Sequence, residues 1–296
     1  MSHLKSVYPM KNRLNLVLFL LSFSFFGFSK TVTLQEALQK KWVSTTVSMQ
    51  SNEAARGCNM HISIKNLTKS EFNITIPVGF VFQSLDSTAQ DFIHLENKEL
   101  GLAALATQST YMMTRCIRAN RGFPNDNQAF LAKSLASSQL LALATFAFEK
   151  KRYESSAMQS ALWAVSDNQG LYGINDSTLL NFVAHLLNKP LPDYTVNYKI
   201  REEAGMTAES ALEPLAIEGV FQYTLPADMQ VKLDLVDTAG TSVLKDFKMI
   251  EIMTQRKGRH RFSFTLELKG VARGTYFMKM TSVSDGKEWG SKQVVF

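Results

Sequence analysis

The side chains best suited to chemistry in this 296-residue chain are its two cysteines, Cys58 and Cys116. A thiolate is the strongest ordinary nucleophile, and two cysteines in an exported chain pair readily. Cys58 precedes an alternating, strand-like stretch and Cys116 ends one, which suits neighbours in a sheet. A Cys58–Cys116 disulfide would close a long loop and contribute about 2–4 kcal/mol. Two buried, unreactive thiols are the other reading these residues leave open. Two cysteines are too few for a disulfide-rich scaffold or a zinc site built from cysteine.

The remaining candidates are weaker. His3, His61, His94, His185 and His260 show no HxxxH or HExxH spacing, so no metal site is expected. A histidine in strand text, such as His61 or His94, ordinarily sits at the surface or is a satisfied interior imidazole. No G-x-S-x-G, P-loop or GxGxxG occurs, and no pair of carboxylates is singled out. Asp167-Asn168-Gln169-Gly170 lacks the alternating acids of a calcium loop and reads as a helix-terminating turn. No cofactor, metal or enzymatic reaction is expected. The densest positive cluster gathers Arg256, Lys257, Arg259 and Arg261. It reads as a solvated hairpin tip, or as a contact for anionic envelope glycolipid.

Charge and composition narrow the partners. Lys5, Lys11 and Arg13 precede the apolar run Leu16–Phe28, and Gly27-Phe28-Ser29 offers a small-x-small exit. Residues 1–29 therefore read as a secretory signal peptide, with the mature chain starting near Lys30. The run is shorter than the roughly 20 apolar residues that span a bilayer. The formal charge of +6 falls to +3 once those three cations leave with no acid, which removes the support for a nucleic-acid ligand. With 45% apolar and 20% charged residues, the chain can fill two cores and is not of a disordered composition.

The elements that must hold these residues follow from periodicity. Thr33-Leu34-Gln35-Glu36 has capping-box spacing and opens a short helix. Strand text follows at 43–49, 58–65, 72–76, 79–82, 91–95 and 109–117, separated by turn residues. After Pro124, Asn125 and Asp126 can cap a helix running to Lys150; helices at 155–166 and 176–187 follow, the last capped at Asn175 or Asp176. Residues 188–214, with Pro190, Pro192 and Pro214, read as a linker. From 215 the text is again β: 220–225, 231–237, 242–247, 261–268, 275–283 and 292–296, with turns at Ala239-Gly240, Lys257-Gly258, Arg273-Gly274 and Asp285-Gly286. The expected fold is mainly β with α. An N-terminal β-sandwich with a three-helix elaboration (30–187) precedes an immunoglobulin-like β-sandwich (215–296). A final strand at 292–296 would present an edge for pairing with another protein's sheet.

Two stretches resemble known families. VKLDLVDTAGTSVL (231–244), LELKGVARGTYFMKM (266–280) and the terminal KQVVF resemble the sorting domain of the type IX secretion system of Bacteroidota. Its signature falls here on Asp237, Gly240, Gly274, Tyr276 and Phe277. That resemblance implies an exported protein of the periplasm, outer membrane or cell surface, and the lack of any catalytic motif makes it non-enzymatic in expectation. It would act through protein–protein interaction with envelope or translocon proteins, as cargo or accessory component of that system.

The N-terminal half is similar, more loosely, to thioester domains of bacterial surface adhesins. The matching residues are Cys116, after the strand text Tyr111–Arg115, and Gln159 in Met158-Gln159-Ser160-Ala161-Leu162-Trp163. The resemblance adds a third reading of Cys116: an internal thioester with Gln159, storing an activated acyl group for an attacking nucleophile. The alternative function is then a covalent surface adhesin. Gln159 and Trp163 are one helical turn apart and share a face. Their ordinary readings are a polar cap for Gln159 and core for Trp163.

Overall fold

The computed structural model describes residues 30–50, 60–201, 205–243 and 252–296. Residues 1–29, Cys58 and most of the strand expected at 242–247 lie outside these, so neither the signal peptide nor a Cys58–Cys116 bridge is addressed by it.

The fold is mainly β with several helices, as the alternation requires. β1 (Thr31–Thr33) leads into α1 (Leu34–Gln39), whose N-cap Thr33 accepts the Glu36 N–H at 3.1 Å. The Glu36 carboxylate does not close the capping box; it pairs with Lys40 at 2.7 Å. Strands β2 (Val43–Met49), β3 (Met60–Asn66), β4 (Phe72–Ile76), β5 (Phe80–Ser84) and β6 (Phe92–His94) follow. β7 (Lys98–Leu102), β8 (Thr107–Met112), β9 (Thr114–Cys116) and β10 (Ala129–Leu135) complete the first region. A three-stranded sheet, β1-β4-β7, faces a seven-stranded one ordered β8-β3-β2-β10-β5-β6-β9. Their inner faces bury Ile74 and Ile76 against Ile62, Ile64, Phe80, Phe82 and Phe92.

Three helices cover the other face of the large sheet at its β5-β6-β9 end: α2 (Ser138–Glu149), α3 (Ala157–Ser166) and α4 (Ser177–Leu186). Their apolar stripes form a second core with Ile93, Leu95, Met113 and Ile117 of that sheet. Asp176, not Asn175, caps α4, accepting from the Thr178 and Leu179 N–H groups at 2.9 and 3.1 Å. The helix expected over 125–150 is corrected: its first part is β10, and the helix begins only at Ser138. β10 alternates one inward side chain, Phe130, with exposed Leu131 and Leu135, and pairing with β2 and β5 overrides the helical text. The single strand expected at 109–117 is two, β8 and β9, at opposite ends of the sheet.

The stretch 188–214, expected as a linker, is largely structured. β11 (Tyr194–Ile200) and the start of β12 (Leu212–Leu225) pair antiparallel there, after the four-residue helix α5 (Ala208–Ala211). Alternation at 194–200 was masked by the flanking prolines. β13 (Met229–Val236), β14 (Ile252–Gln255), β15 (Gly258–Glu267), β16 (Thr275–Ser282) and β17 (Glu288–Val295) complete the chain. A sheet β11-β12-β15 packs on a sheet β14-β13-β16-β17. Ile217, Phe221 and Phe264 meet Val231, Leu233, Met278 and Val294 between them. Ala211 and Leu212 belong to the first sandwich's core, and Tyr198 packs against both cores. The edge expected at the last strand is partly taken: the Val295 N–H donates to the Tyr194 hydroxyl at 2.9 Å.

Candidate functional site

β9 is the terminal strand of the large sheet, and its inner edge pairs with β6: Phe92 lies opposite Cys116 and His94 opposite Thr114. The outer edge would leave backbone groups unpaired in the interior, which folded chains avoid. Helix α3 supplies the partners. The Cys116 N–H donates to Gln159 Oε1 at 3.3 Å, and Gln159 Nε2 donates to the Cys116 carbonyl at 2.7 Å. A carboxamide carries one acceptor and one donor side arranged as in a peptide group, so Gln159 closes the edge as a strand residue would. Two turns on, Asp167 does the same for the Ala119 N–H at 2.9 Å. Gln159 is therefore not the polar helix cap its sequence setting suggested.

The pair is secluded. Cys116 and Gln159 are each 2% exposed, and Trp163, one turn beyond Gln159, is fully buried. Period-two alternation puts Phe92, His94, Thr114 and Cys116 on the face toward the sandwich interior, with Ile93, Met113 and Ile117 toward the helices. Trp163 packs in the sandwich core with Cys116, whereas Met158, Ala161, Leu162 and Ala164 pack among the helices. Helix α3 thus straddles the sheet edge, with Gln159 and Trp163 on its sheet-facing side.

Unspent polar groups gather here. Gln90 Nε2 and Oε1, His94 Nε2, Thr114 Oγ1, Arg115 Nε and Trp163 Nε1 are all buried without a hydrogen-bond partner among the described residues. Buried polar atoms are ordinarily satisfied, and leaving one bare costs about 1–3 kcal/mol. Such a concentration on β6, the residue two places before it, β9 and α3 marks the pair as unlike ordinary core. His94 is the best defined of them. Its Nδ1 lies 3.0 Å from the Met113 carbonyl, which can only accept, so Nδ1 carries the hydrogen and Nε2 a bare lone pair. Burial, with the Lys98 charge adding, pushes its pKa down to about 4 against the pull of that hydrogen bond, so the ring is neutral at neutral pH.

A cleft of about 390 Å³ opens between sheet and helices, lined in part by Asp91, Ile117, Arg118, Lys133, Val165 and Ser166, with neither Cys116 nor Gln159 in its wall. The buried Asp91 carboxylate accepts the Ser84 N–H at 3.0 Å and faces Arg118 at 3.4 Å and Arg121 at 3.7 Å. Among the described residues no group of three or more His, Cys, Asp or Glu side chains is placed to hold a metal ion. No described helix is long and apolar enough to cross a membrane.

The other predicted positions lie in the second sandwich. Asp237 caps a turn, accepting from the Ala239 and Thr241 N–H groups at 2.9 and 2.8 Å, and Gly240 turns it with φ +80°. Gly274 exchanges two backbone bonds with Phe296, at 2.7 and 3.1 Å. Tyr276 stacks on the Phe296 ring at 4.7 Å, while Phe277 is half-buried on the opposite face of β16. Arg256, Lys257, Arg259 and Arg261 are exposed at the turn into β15 and along it. The sequence carries Cys116 and Gln159 as a pair but gives no signal for Gln90, His94 or Thr114, since their involvement depends on the β6–β9 register.

Comparison with known protein families finds no match for this sequence, and comparison with curated proteins finds no similar sequence.

Proposed function

We propose that the first sandwich carries an internal thioester between Cys116 and Gln159 and serves an exported protein as a covalent-attachment module. The observation that supports this reading most is the two-way hydrogen bonding of Gln159 to the Cys116 backbone, across 43 positions of sequence, with both residues buried. The Cys116 sulfur adds to the Gln159 amide carbon, the C–N bond breaks and ammonia leaves with the thiol proton. An amine or hydroxyl arriving later adds to the same carbon, and sulfur departs as the leaving group and regains a proton. Seclusion preserves the activated acyl group from water until a partner opens access to it.

Intact mass tests this on the mature chain. The thioester predicts a deficit of about 17 Da from lost ammonia, replaced on incubation with methylamine by the mass of the added amine. Cys116→Ser and Gln159→Ala chains should show no deficit. A full mass, or a deficit of about 2 Da from a disulfide, would overturn the proposal.

The second sandwich is proposed to route the protein, as a sorting-type docking unit that engages envelope or translocon proteins. What favours a separate role is its own core, which meets the first region through Tyr198, Ala211 and Leu212 and through Tyr194 stacked on Tyr172. Because β11 belongs to it, the test deletes residues 193–296 and follows the chain by envelope fractionation. Unchanged location would speak against routing.

A further inference from the structure

The thioester reading leaves one requirement unassigned, and the following rests on that reading. When sulfur or an incoming nucleophile adds to the Gln159 carbonyl carbon, the oxygen takes up negative charge. In a site this dry that charge must be met by preorganised donors, commonly more than one. The Cys116 N–H, 3.3 Å from Oε1, is the first, and its length leaves room for the bond to shorten as charge develops. Among the described residues Gln159 Oε1 accepts no hydrogen bond besides the one from Cys116, which leaves its second lone pair open.

We propose that the indole N–H of Trp163 is the second donor to this oxygen. Four observations converge on it. The side chain is fully buried and its Nε1 has no acceptor among the described residues, an arrangement that costs stability and that a catalytic role would explain. Trp163 follows Gln159 by one helical turn, on the same face of α3. Side chains in a helix lean toward its N-terminus, so the indole covers the turn from which Gln159 projects. And Trp163 packs in the core that contains Cys116, apart from its own helical neighbours. In the reaction the indole keeps its proton. It donates a hydrogen bond to the tetrahedral oxyanion, while the C–S bond breaks and the sulfur takes the proton released by the attacking amine. Thr114 Oγ1, also bare and two residues before Cys116 on the same face, is the competing donor.

The test follows methylamine consumption of the thioester by intact mass, on the full mature chain. Replacing Trp163 with benzothienylalanine keeps the ring shape and exchanges N–H for sulfur; Trp163→Phe is the second variant, and melting temperature checks that each remains folded. The isostere should react about 100-fold more slowly than the wild type, with Trp163→Phe slowed at least as much and Thr114→Val near the wild-type rate. A folded variant that retains its full mass would give the same support, because ring closure passes through the same oxyanion. An isostere reacting at the wild-type rate, or Thr114→Val slowing in its place, would overturn the assignment while leaving the thioester intact. A wild-type chain without the mass deficit would instead remove the thioester itself.

Discussion

The two sandwiches close their sheets in opposite ways. In the second, Phe296 stacks on Tyr276, and Gly274 and Phe296 satisfy each other's backbone. Among the described residues of its strands, Tyr198 Oη, Thr281 Oγ1 and Trp289 Nε1 are buried without a hydrogen-bond partner, and the last two sit at the end of β16 and β17 away from that closure. In the first, the terminal strand β9 is closed by side chains of a helix, and bare polar groups crowd the seam. Bare polar groups are scattered through the second region and gathered along one seam in the first. Clustered violations of this kind are expected where a site of chemistry lies, so the contrast makes the first sandwich the place to test for one.

The largest expected effect tests whether the second sandwich is a purely structural closure. Phe296→Ala removes a buried ring stacked on Tyr276 and should cost about 3–5 kcal/mol. Calorimetry of the full chain should show a lowered transition for the second sandwich, with the 17 Da deficit of the first unchanged. Loss of that deficit would mean that the two regions are not separable.

Next in size is a pH effect confined to the first sandwich. Unfolded, His94 titrates near 6.5; folded, its pKa is about 4, because burial disfavours the charged ring. Between those values the unfolded chain binds the extra proton. The contribution is therefore fully present above about pH 6.5 and lost progressively as the pH falls toward 4, by about 3 kcal/mol in all. Urea unfolding followed between pH 7 and 4 should show this slope, and His94→Gln should flatten it. An unchanged slope in the variant would mean that another group titrates there.

Much of this contrast is legible in the sequence, and the rest is not for a physical reason. Alternation in Met60–Asn66 and Thr275–Ser282 places those strands because each buries one face. Asp176 announces α4 because a carboxylate before a helix satisfies its first N–H groups. β10 is missed because Ala, Leu and Lys favour helix locally, and only the sheet partners on either side decide otherwise. Cys116 and Gln159 are paired in the sequence only through its likeness to thioester domains. The bare His94 and Thr114 cannot, because their being opposite one another is a property of register, which a short three-residue strand does not encode by itself.

The smallest effect probes how firmly the helical layer holds the pair. Asp176 accepts two N–H groups at the start of α4, and Arg152 lies 3.7 Å from its other oxygen. Asp176→Ala removes the cap and should lower stability by about 1 kcal/mol, since the exposed Arg152 contact adds little. Helix α4 packs against α3, and α3 carries Gln159. If α3 is held mainly by its own bonds to Cys116 and Ala119, the variant should keep the wild-type rate of methylamine addition despite the lost stability. If the rate rises with the loosened layer, access to the acyl group runs between α3 and its helical neighbours, and seclusion of the pair is the work of all three helices together.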